Sequence, residues 1–321
     1  MRMIQKMKND FLTMIEQADT IAITGHVRPD GDCVGSTVGL YNYIISNYDK
    51  QVQIYLEEFS KDFLFLHDAD KISHTPTDQV YDLCIAVDCG DKERQGDFLP
   101  IFEHAKSTMC VDHHISNPGF GEVCYVDAEA CSAAEALYKL MEQDKINKNA
   151  AEALYMGIVH DTGVFKHSNT TKSAMSIAGD LIEKGANPSF IIDETFYKKT
   201  FVANKLLGIA LTKAEQHADG RIISTVLEAE DFRKSGAGKI DTDGIVDQLR
   251  ITEGTETAVF IYQTGEDEYK ISLRSNNIVD VSRISCNHGG GGHVRAAGFS
   301  MKGDIKEILA GVIEEIKEQL C

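Results

Sequence analysis

Nowhere does the chain reach the roughly 18 consecutive apolar residues that a membrane-crossing helix requires, and no membrane contact is expected. Paired cysteines are missing too. The eight cysteines stand at 33, 84, 89, 110, 124, 131, 286 and 321, none of them in a CxxC pair. Several sit in apolar, strand-like runs, where a small buried residue is the ordinary role. This scatter offers no disulfide framework and fits a reducing, cytoplasmic setting. Positive charge is scarce: 32 Lys and Arg face 50 Asp and Glu, a formal charge of −18. Long nucleic acid needs a basic surface against its phosphates, so no long nucleic acid is expected as a partner. Small anionic substrates stay open wherever a pocket is locally basic or holds metal. The opening residues, MRMIQKMKNDFLTMIEQ, follow an amphipathic helical pattern and lack the apolar core of a signal peptide. Internal repeats and low-complexity tracts are lacking as well.

What is present is enough for two folded domains: 321 residues, 43% of them hydrophobic. Over the first 165 residues short apolar runs alternate with helical patterns. TIAIT (20–24), QVQIYL (51–56), YDLCIAVD (81–88) and STMCVD (107–112) read as strands; VGLYNYIIS (38–46), SAAEALYKLMEQ (132–143) and NAAEALYMGIV (149–159) read as helices. Continuous apolar strands separated by helices predict an α/β fold with a parallel sheet covered on both faces. Such sheets bind ligands beyond the carboxyl ends of their strands. Residues 171–216 read as helical throughout and form a link. RIISTVL, ETAVFIYQ and EYKISLRS then predict strands, with GEDE (265–268) as a turn, before a glycine-rich segment and a final helix from about 304. The expected division is a catalytic domain over 1–185, a helical linker over 186–217 and a smaller mixed-sheet α/β domain over 218–321.

The chemistry concentrates at the ends of these elements. HVRPDGDCVG (26–35) places Asp30 and Asp32 two apart just past the first strand, with His26 four residues before Asp30. Carboxylates this close repel unless neutralised, and a divalent cation is the simplest neutraliser. Taken alone, the stretch also has a weaker reading as a polar turn with Asp30-Gly31 as its corner. Three further segments change that reading: YDLCIAVDCGD ends in Asp88, STMCVDHH in Asp112, His113 and His114, and LYMGIVHDTGVF brings Asp161 at a helix end. Mixed Asp and His donors suit Mn²⁺ and related ions better than Ca²⁺ or a thiolate zinc site. His26, Asp30, Asp32, Asp88, His113 and Asp161 make six donors, too many for one tetrahedral ion and apt for two ions clamping a phosphoryl group.

At these residues the sequence resembles the DHH phosphoesterase family. HVRPDGDCVGS, VDCGD, the DHH at 112–114 and HDTGVF occur in the family's order. The resemblance implies two Mn²⁺ ions, with Mg²⁺ or Co²⁺ as alternatives. It implies His26, Asp30 and Asp88 on one ion, and Asp32, Asp88, His113 and Asp161 on the other, Asp88 bridging. It sets His114 against the scissile phosphate and Asp112 behind the histidines as their orienting partner. Asp88, His113, His114 and Asp161 are the catalytic expectation.

NHGGGGHVRAAGF (287–299) resembles the signature of the DHHA1 domain. Glycines let backbone N–H groups approach a phosphate closely, so Gly290, Gly291, Gly292 and His293 are expected substrate contacts, with Arg274 of ISLRSN beside them. Arg250 in VDQLRITEG is balanced between a ligand and a surface role. The chain departs from the family around CSAAEALY (131–138), where only Ser132 keeps the hydroxyl expected to touch phosphate. Cys33 replaces a small apolar residue, and His288 an aromatic one. His160 reads equally as a partner of Asp161 or a plain helix-end histidine.

The pairing of these two domains resembles the family's bifunctional oligoribonucleases and 3′-phosphoadenosine-5′-phosphate (pAp) phosphatases. The implied substrates are short oligoribonucleotides and small nucleotides, linear dinucleotides such as pApA included, gripped by both domains and cut by an activated hydroxide. Oligomeric state is left open, a homodimer among the options. A manganese inorganic pyrophosphatase is the first rival, lacking here its basic SRKKQ-like motif; a catalytically dead nucleotide-binding module is the second.

Overall fold

The computed structural model describes residues 2–320; Met1 of the N-terminal pattern and Cys321 lie outside them. The chain divides after Lys198 into two compact units. The stretch 186–217, expected as a linker, is split at that point between them. No helix among the described residues is long and apolar enough to cross a membrane.

The first unit is built on a five-stranded sheet: Thr20–Thr24 (β1), Gln51–Tyr55 (β2), Leu83–Val87 (β3), Ser107–Asp112 (β4) and Val123–Val126 (β5). All pairings are parallel and the order is β2-β1-β3-β4-β5. The four strands expected from sequence are there. β5 is an addition: its VCYV is short and half-buried at the sheet edge, too brief to show a period.

Around this sheet lie Arg2–Gln17 (α1), Gly31–Asn47 (α2), Leu99–His104 (α3), Ala133–Leu140 (α4), Lys148–Asp161 (α5), Lys172–Glu183 (α6) and Pro188–Ile192 (α7). Ile21, Ile23, Leu83, Ile85, Val87, Met109 and Val111 point from the strands into the large core beneath α2, α4 and α5. The intervening Ala22, Cys84 and Ala86 face Phe98, Ile101 and Phe102 on the other side. Both faces are covered, which is why β3 reads as an uninterrupted apolar run.

The second unit holds Phe201–Thr212 (α8), Ala229–Ser235 (α9), Ile245–Arg250 (α10), Val281–Asn287 (α11) and Ile305–Leu320 (α12). Its strands are Glu215–His217 (β6), Ile222–Leu227 (β7), Thr257–Gly265 (β8), Glu268–Ser275 (β9), Gly291–His293 (β10) and Ala296–Lys302 (β11). They form one mixed sheet in the order β10-β11-β9-β8-β7-β6. One face packs on α11 and α12. The other is covered by α8 and α10 over β7 and β8, through Leu206, Ile245, Leu249, Ala258 and Phe260. Over β9 and β11 that second face stays half-exposed, with alternate residues of β9 buried.

The helical reading of 171–216, as one segment to Gly185 and a second from Pro188, is corrected at its end: Glu215–His217 extends as an edge strand paired with β7. The first segment stops at Glu183 before Gly185, whose φ of 109° is left-handed. The glycine-rich segment is likewise more than a loop, since β10 and β11 pair within it.

Candidate metal centre

The order β2-β1-β3-β4-β5 changes direction between β1 and β3, the point at which open α/β sheets place ligands beyond the carboxyl ends of their strands. His26 and Asp30 follow β1, Asp88 follows β3, and Asp112 closes β4 with His113 and His114 just beyond. α2 and α5 complete the ring. Asp30 is the N-cap of α2: its Oδ1 accepts the N–H groups of Asp32 and Cys33 at 3.1 Å each. That cap fixes Asp32 in the first turn. Asp161 comes from the last turn of α5.

Asp32 is fully buried. Its carboxylate rests on the N-terminus of α4, accepting Ala133 N–H at 2.6 Å and Ala134 N–H at 3.1 Å, where the helix's free donors favour negative charge. Gly157 of α5 allows this approach, for a Cβ there would stand 2.5 Å from Asp32 Oδ1 and 2.7 Å from Ala134 Cβ.

Asp88 lies at the middle. Its Oδ2 is 3.4 Å from His26 Nε2 and its Oδ1 3.4 Å from His113 Nε2. His113 Nε2 also lies 3.2 Å from Asp161 Oδ2 and 4.0 Å from Asp32 Oδ2, and His26 Nε2 lies 3.7 Å from Asp30 Oδ1. All six expected donors therefore meet. Asp88 is only 3% exposed, its Oδ1 has no hydrogen-bond partner, and its φ of 58° is left-handed. A non-glycine residue held in that region costs about 1 kcal/mol or more, a strain kept mostly where function demands it.

The electrostatics fit a bound cation. His26 Nδ1 faces the Val27 carbonyl at 2.9 Å; a carbonyl only accepts, so Nδ1 carries the proton and Nε2 is aimed at carboxylates. Burial works against a charge on His113, yet the Asp88, Asp32 and Asp161 carboxylates raise it to about 10. Burial and the Asp88 carboxylate lift Asp161 to about 7, and burial with Asp88 and Asp161 lifts Asp32 well above the carboxylate range. Burial also opposes ionisation of Asp30, but the facing His26 and the capping N–H groups hold it at about 2. Crowded carboxylates borrowing protons, and a buried oxygen without a donor, fit a divalent cation. Groups of these residues that could hold one are Asp88 with Asp112, His113 and His114; His26 with Cys33 and Asp88; and Asp32 with His113 and Asp161.

Behind the ring, Asp112 is fully buried with both oxygens engaged: Oδ1 holds His114 Nδ1 at 2.8 Å, and Oδ2 accepts from Asn117 Nδ2 at 2.7 Å. The same Asn117 amide reaches the Cys89 carbonyl at 2.9 Å, tying the ends of β3 and β4 together. Sequence reasoning missed Asn117; the Asn-Pro-Gly turn at 117–119 was its only signal. His160 is not part of the ring. Its imidazole lies between Phe63 and Phe196, with ring centroids at 5.1 and 4.6 Å, and burial lowers it to about 4. Ser132 is buried and caps α4, its Oγ accepting Glu135 N–H at 3.1 Å. It serves the helix whose N-terminus holds the Asp32 carboxylate.

In the second unit, register sets His293 opposite Ala296 and Ala296 opposite Arg274, one row across β10, β11 and β9. Residues directly opposite share a face. Gly291, Gly298, Ser272 and Lys270 belong to the same half-exposed face, so small residues lie between three basic side chains. Arg274 Nε donates to Asp247 Oδ1 at 3.2 Å. Arg250 instead bonds Asn276 Oδ1 at 2.8 Å, while Asn276 returns a bond to the Arg250 carbonyl, a local staple. Lys270 was not anticipated; it sits four residues before Arg274 on an alternating strand. A Cβ on Gly290 or Gly292 would collide with β11 backbone, whereas Gly291 faces open space.

Residues 20–158 match the DHH family, N-terminal domain, and residues 219–318 the DHHA1 domain. The bifunctional oligoribonuclease and PAP phosphatase NrnA of Bacillus subtilis is 28% identical over 300 residues, 92% of this chain and 93% of that protein. Its namesake from Thermus thermophilus is 28% identical over 315 residues, 94% and 90% of the two chains. Among solved structures, an exopolyphosphatase-related protein from Bacteroides fragilis superposes with a TM-score of 0.82 at 24% identity, covering 98% of this chain and 96% of its own. Exonuclease RecJ bound to manganese gives 0.50 at 13% identity, covering 98% and 93%. These two structures share the fold.

Proposed function

We propose, from the matches to the DHH N-terminal domain in the first unit and the DHHA1 domain in the second, that the chain is a metal-dependent phosphoesterase of small nucleotides. It hydrolyses short oligoribonucleotides, linear dinucleotides such as pApA included, to mononucleotides, and pAp to AMP. The observation that carries the reading is Asp88, buried with an orphaned oxygen between the two imidazoles of His26 and His113. Relatives named for oligoribonuclease and PAP phosphatase activity align over nine-tenths of both chains, which supports the substrate class.

His26, Asp30 and Asp88 would hold one Mn²⁺, and Asp32, Asp88, His113 and Asp161 a second; Mg²⁺ or Co²⁺ would satisfy the same oxygen and nitrogen donors. When bound, such ions supply Lewis acidity toward phosphate oxygens and toward water. The chain's own part is positioning. Asp112 fixes His114 through Nδ1 and favours its charged form, leaving Nε2–H to donate to a phosphate oxygen. In the second unit, Arg274, Lys270, His293 and the open backbone at Gly291 offer a surface suited to nucleotide phosphates. Gly290 and Gly292 shape that surface.

Incubation with Mn²⁺ and a panel of pAp, two- to five-mer RNAs, pApA, pGpG and pyrophosphate tests the reading, with products separated by chromatography. AMP and mononucleotides are expected, with pyrophosphate left intact. Faster cleavage of pyrophosphate than of pAp, or no turnover of any substrate, would overturn it.

A further inference from the structure

We propose that Cys33 is a sulfur donor at the His26–Asp30–Asp88 end of the metal centre, giving that position a preference for thiophilic divalent cations such as Zn²⁺, Co²⁺ and Cd²⁺. The inference rests on the reading of these residues as a metal site. The Cys33 sulfur, a ring nitrogen of His26 and a carboxylate oxygen of Asp88 all lie within 4.8 Å of one another, and all three residues are buried. Asp88 is the independent sign of a ligand, being 3% exposed with Oδ1 unpartnered.

The thiol is held in place from two sides. Cys33 N–H donates to Asp30 Oδ1 in the N-cap of α2, which fixes the backbone that carries the thiol. Gly25 leaves the space the sulfur fills, because a Cβ there would overlap it. Cys33 belongs to the apolar core of the first unit on one side, and on the other it meets an imidazole and a carboxylate. Carboxylate and imidazole alone suit Mn²⁺ or Mg²⁺, whereas thiolate selects softer ions. As the sulfur–metal bond forms, the thiol proton leaves to solvent. The two ends of the centre then differ: one takes oxygen, nitrogen and sulfur, and the other, at Asp32, His113 and Asp161, only oxygen and nitrogen.

The test compares the full chain with C33A and C33S. Cobalt-loaded wild type should show a near-ultraviolet sulfur-to-cobalt charge-transfer band that both variants lack. Zn²⁺ affinity, read by competition with a chromophoric chelator, should fall about tenfold or more in C33A, while Mn²⁺ affinity changes little. Metal-free melting establishes that the variants fold, and C33S stands in should C33A fail to. Cobalt-saturated wild type without the band, or equal Zn²⁺ affinity in wild type and variant, would overturn the sulfur donor. Wild type that binds neither Mn²⁺ nor Co²⁺ would instead overturn the metal site itself, and the inference with it.

Discussion

Asp88 concentrates the conflict that a cation would resolve. Its backbone is left-handed, its carboxylate is enclosed, and further carboxylates lie across His113. Asn tolerates positive φ and has no charge to bury. Metal-free Asp88→Asn should keep the backbone conformation but melt below wild type at pH 7, because it removes the carboxylate that faces the His26 and His113 imidazoles. It should lose the Mn²⁺-induced rise in Tm and all turnover, which calorimetry and an AMP-release assay would show together. The pH dependence follows from two neighbours. Asp161 is raised from 3.8 to about 7 and His113 from 6.5 to about 10. In each case the folded state binds the proton more tightly than the unfolded chain. The stability they contribute is thus complete at low pH and lost as pH rises, from about 4 to 7 for Asp161 and from about 6.5 to 10 for His113. Metal-free protein should melt lower at pH 9 than at pH 6. Metal competes with those same protons, so the Mn²⁺-induced rise in Tm should grow across that range; a rise that shrinks would contradict the assignment.

Helices α2, α4 and α5 meet around one carboxylate. Asp32 reaches the N-terminus of α4 only because α5 presents Gly157 at the crossing. Gly157→Ala should cost about 1–3 kcal/mol through overpacking and, by displacing Asp32, weaken Mn²⁺ binding beyond what the lost stability explains. Titration of Mn²⁺ at a temperature where the variant is folded would separate the two effects. The glycines between α11 and β11 divide in the same manner. Gly290→Ala meets the Gly298 carbonyl and should unfold the hairpin, whereas Gly291→Ala points into open space. The second should keep wild-type melting and raise KM for pAp, the expected signature of a backbone that faces substrate.

The two units of this acidic molecule differ in the side chains they expose. The negative charge of the chain, −18 in all, repels polyanions, yet the open sheet face of the second unit gathers Lys270, Arg274 and His293. A charge-assisted hydrogen bond to phosphate contributes about 1.5–3 kcal/mol. Arg274→Ala should therefore raise KM for pAp and short RNA by roughly 10- to 100-fold, and Lys270→Ala in the same direction. The Mn²⁺-dependent melting of the first unit should not change in either. Steady-state kinetics together with melting curves checks both halves of this expectation, and a loss of metal response in Arg274→Ala would argue against it.

The amino-acid order alone determined which elements end in which chemistry. Local rules suffice for that: an apolar run such as LCIAV must be a covered strand, and an Asp before Gly-Asp caps a helix. Asp30, Asp32, Asp88, His113 and Asp161 were legible because each sits at such an end. Tertiary structure decided what depends on distant partners. It committed Ser132 to capping α4, brought Asn117 onto Asp112, packed the His160 ring between two phenylalanines, and aligned His293 with Arg274 across Ala296. It also left Asp88 Oδ1 without a donor and brought the sulfur of Cys33 within 4.8 Å of a carboxylate oxygen of Asp88. Strand register and helix crossings arise from packing between segments far apart in the chain, and no local period carries that information.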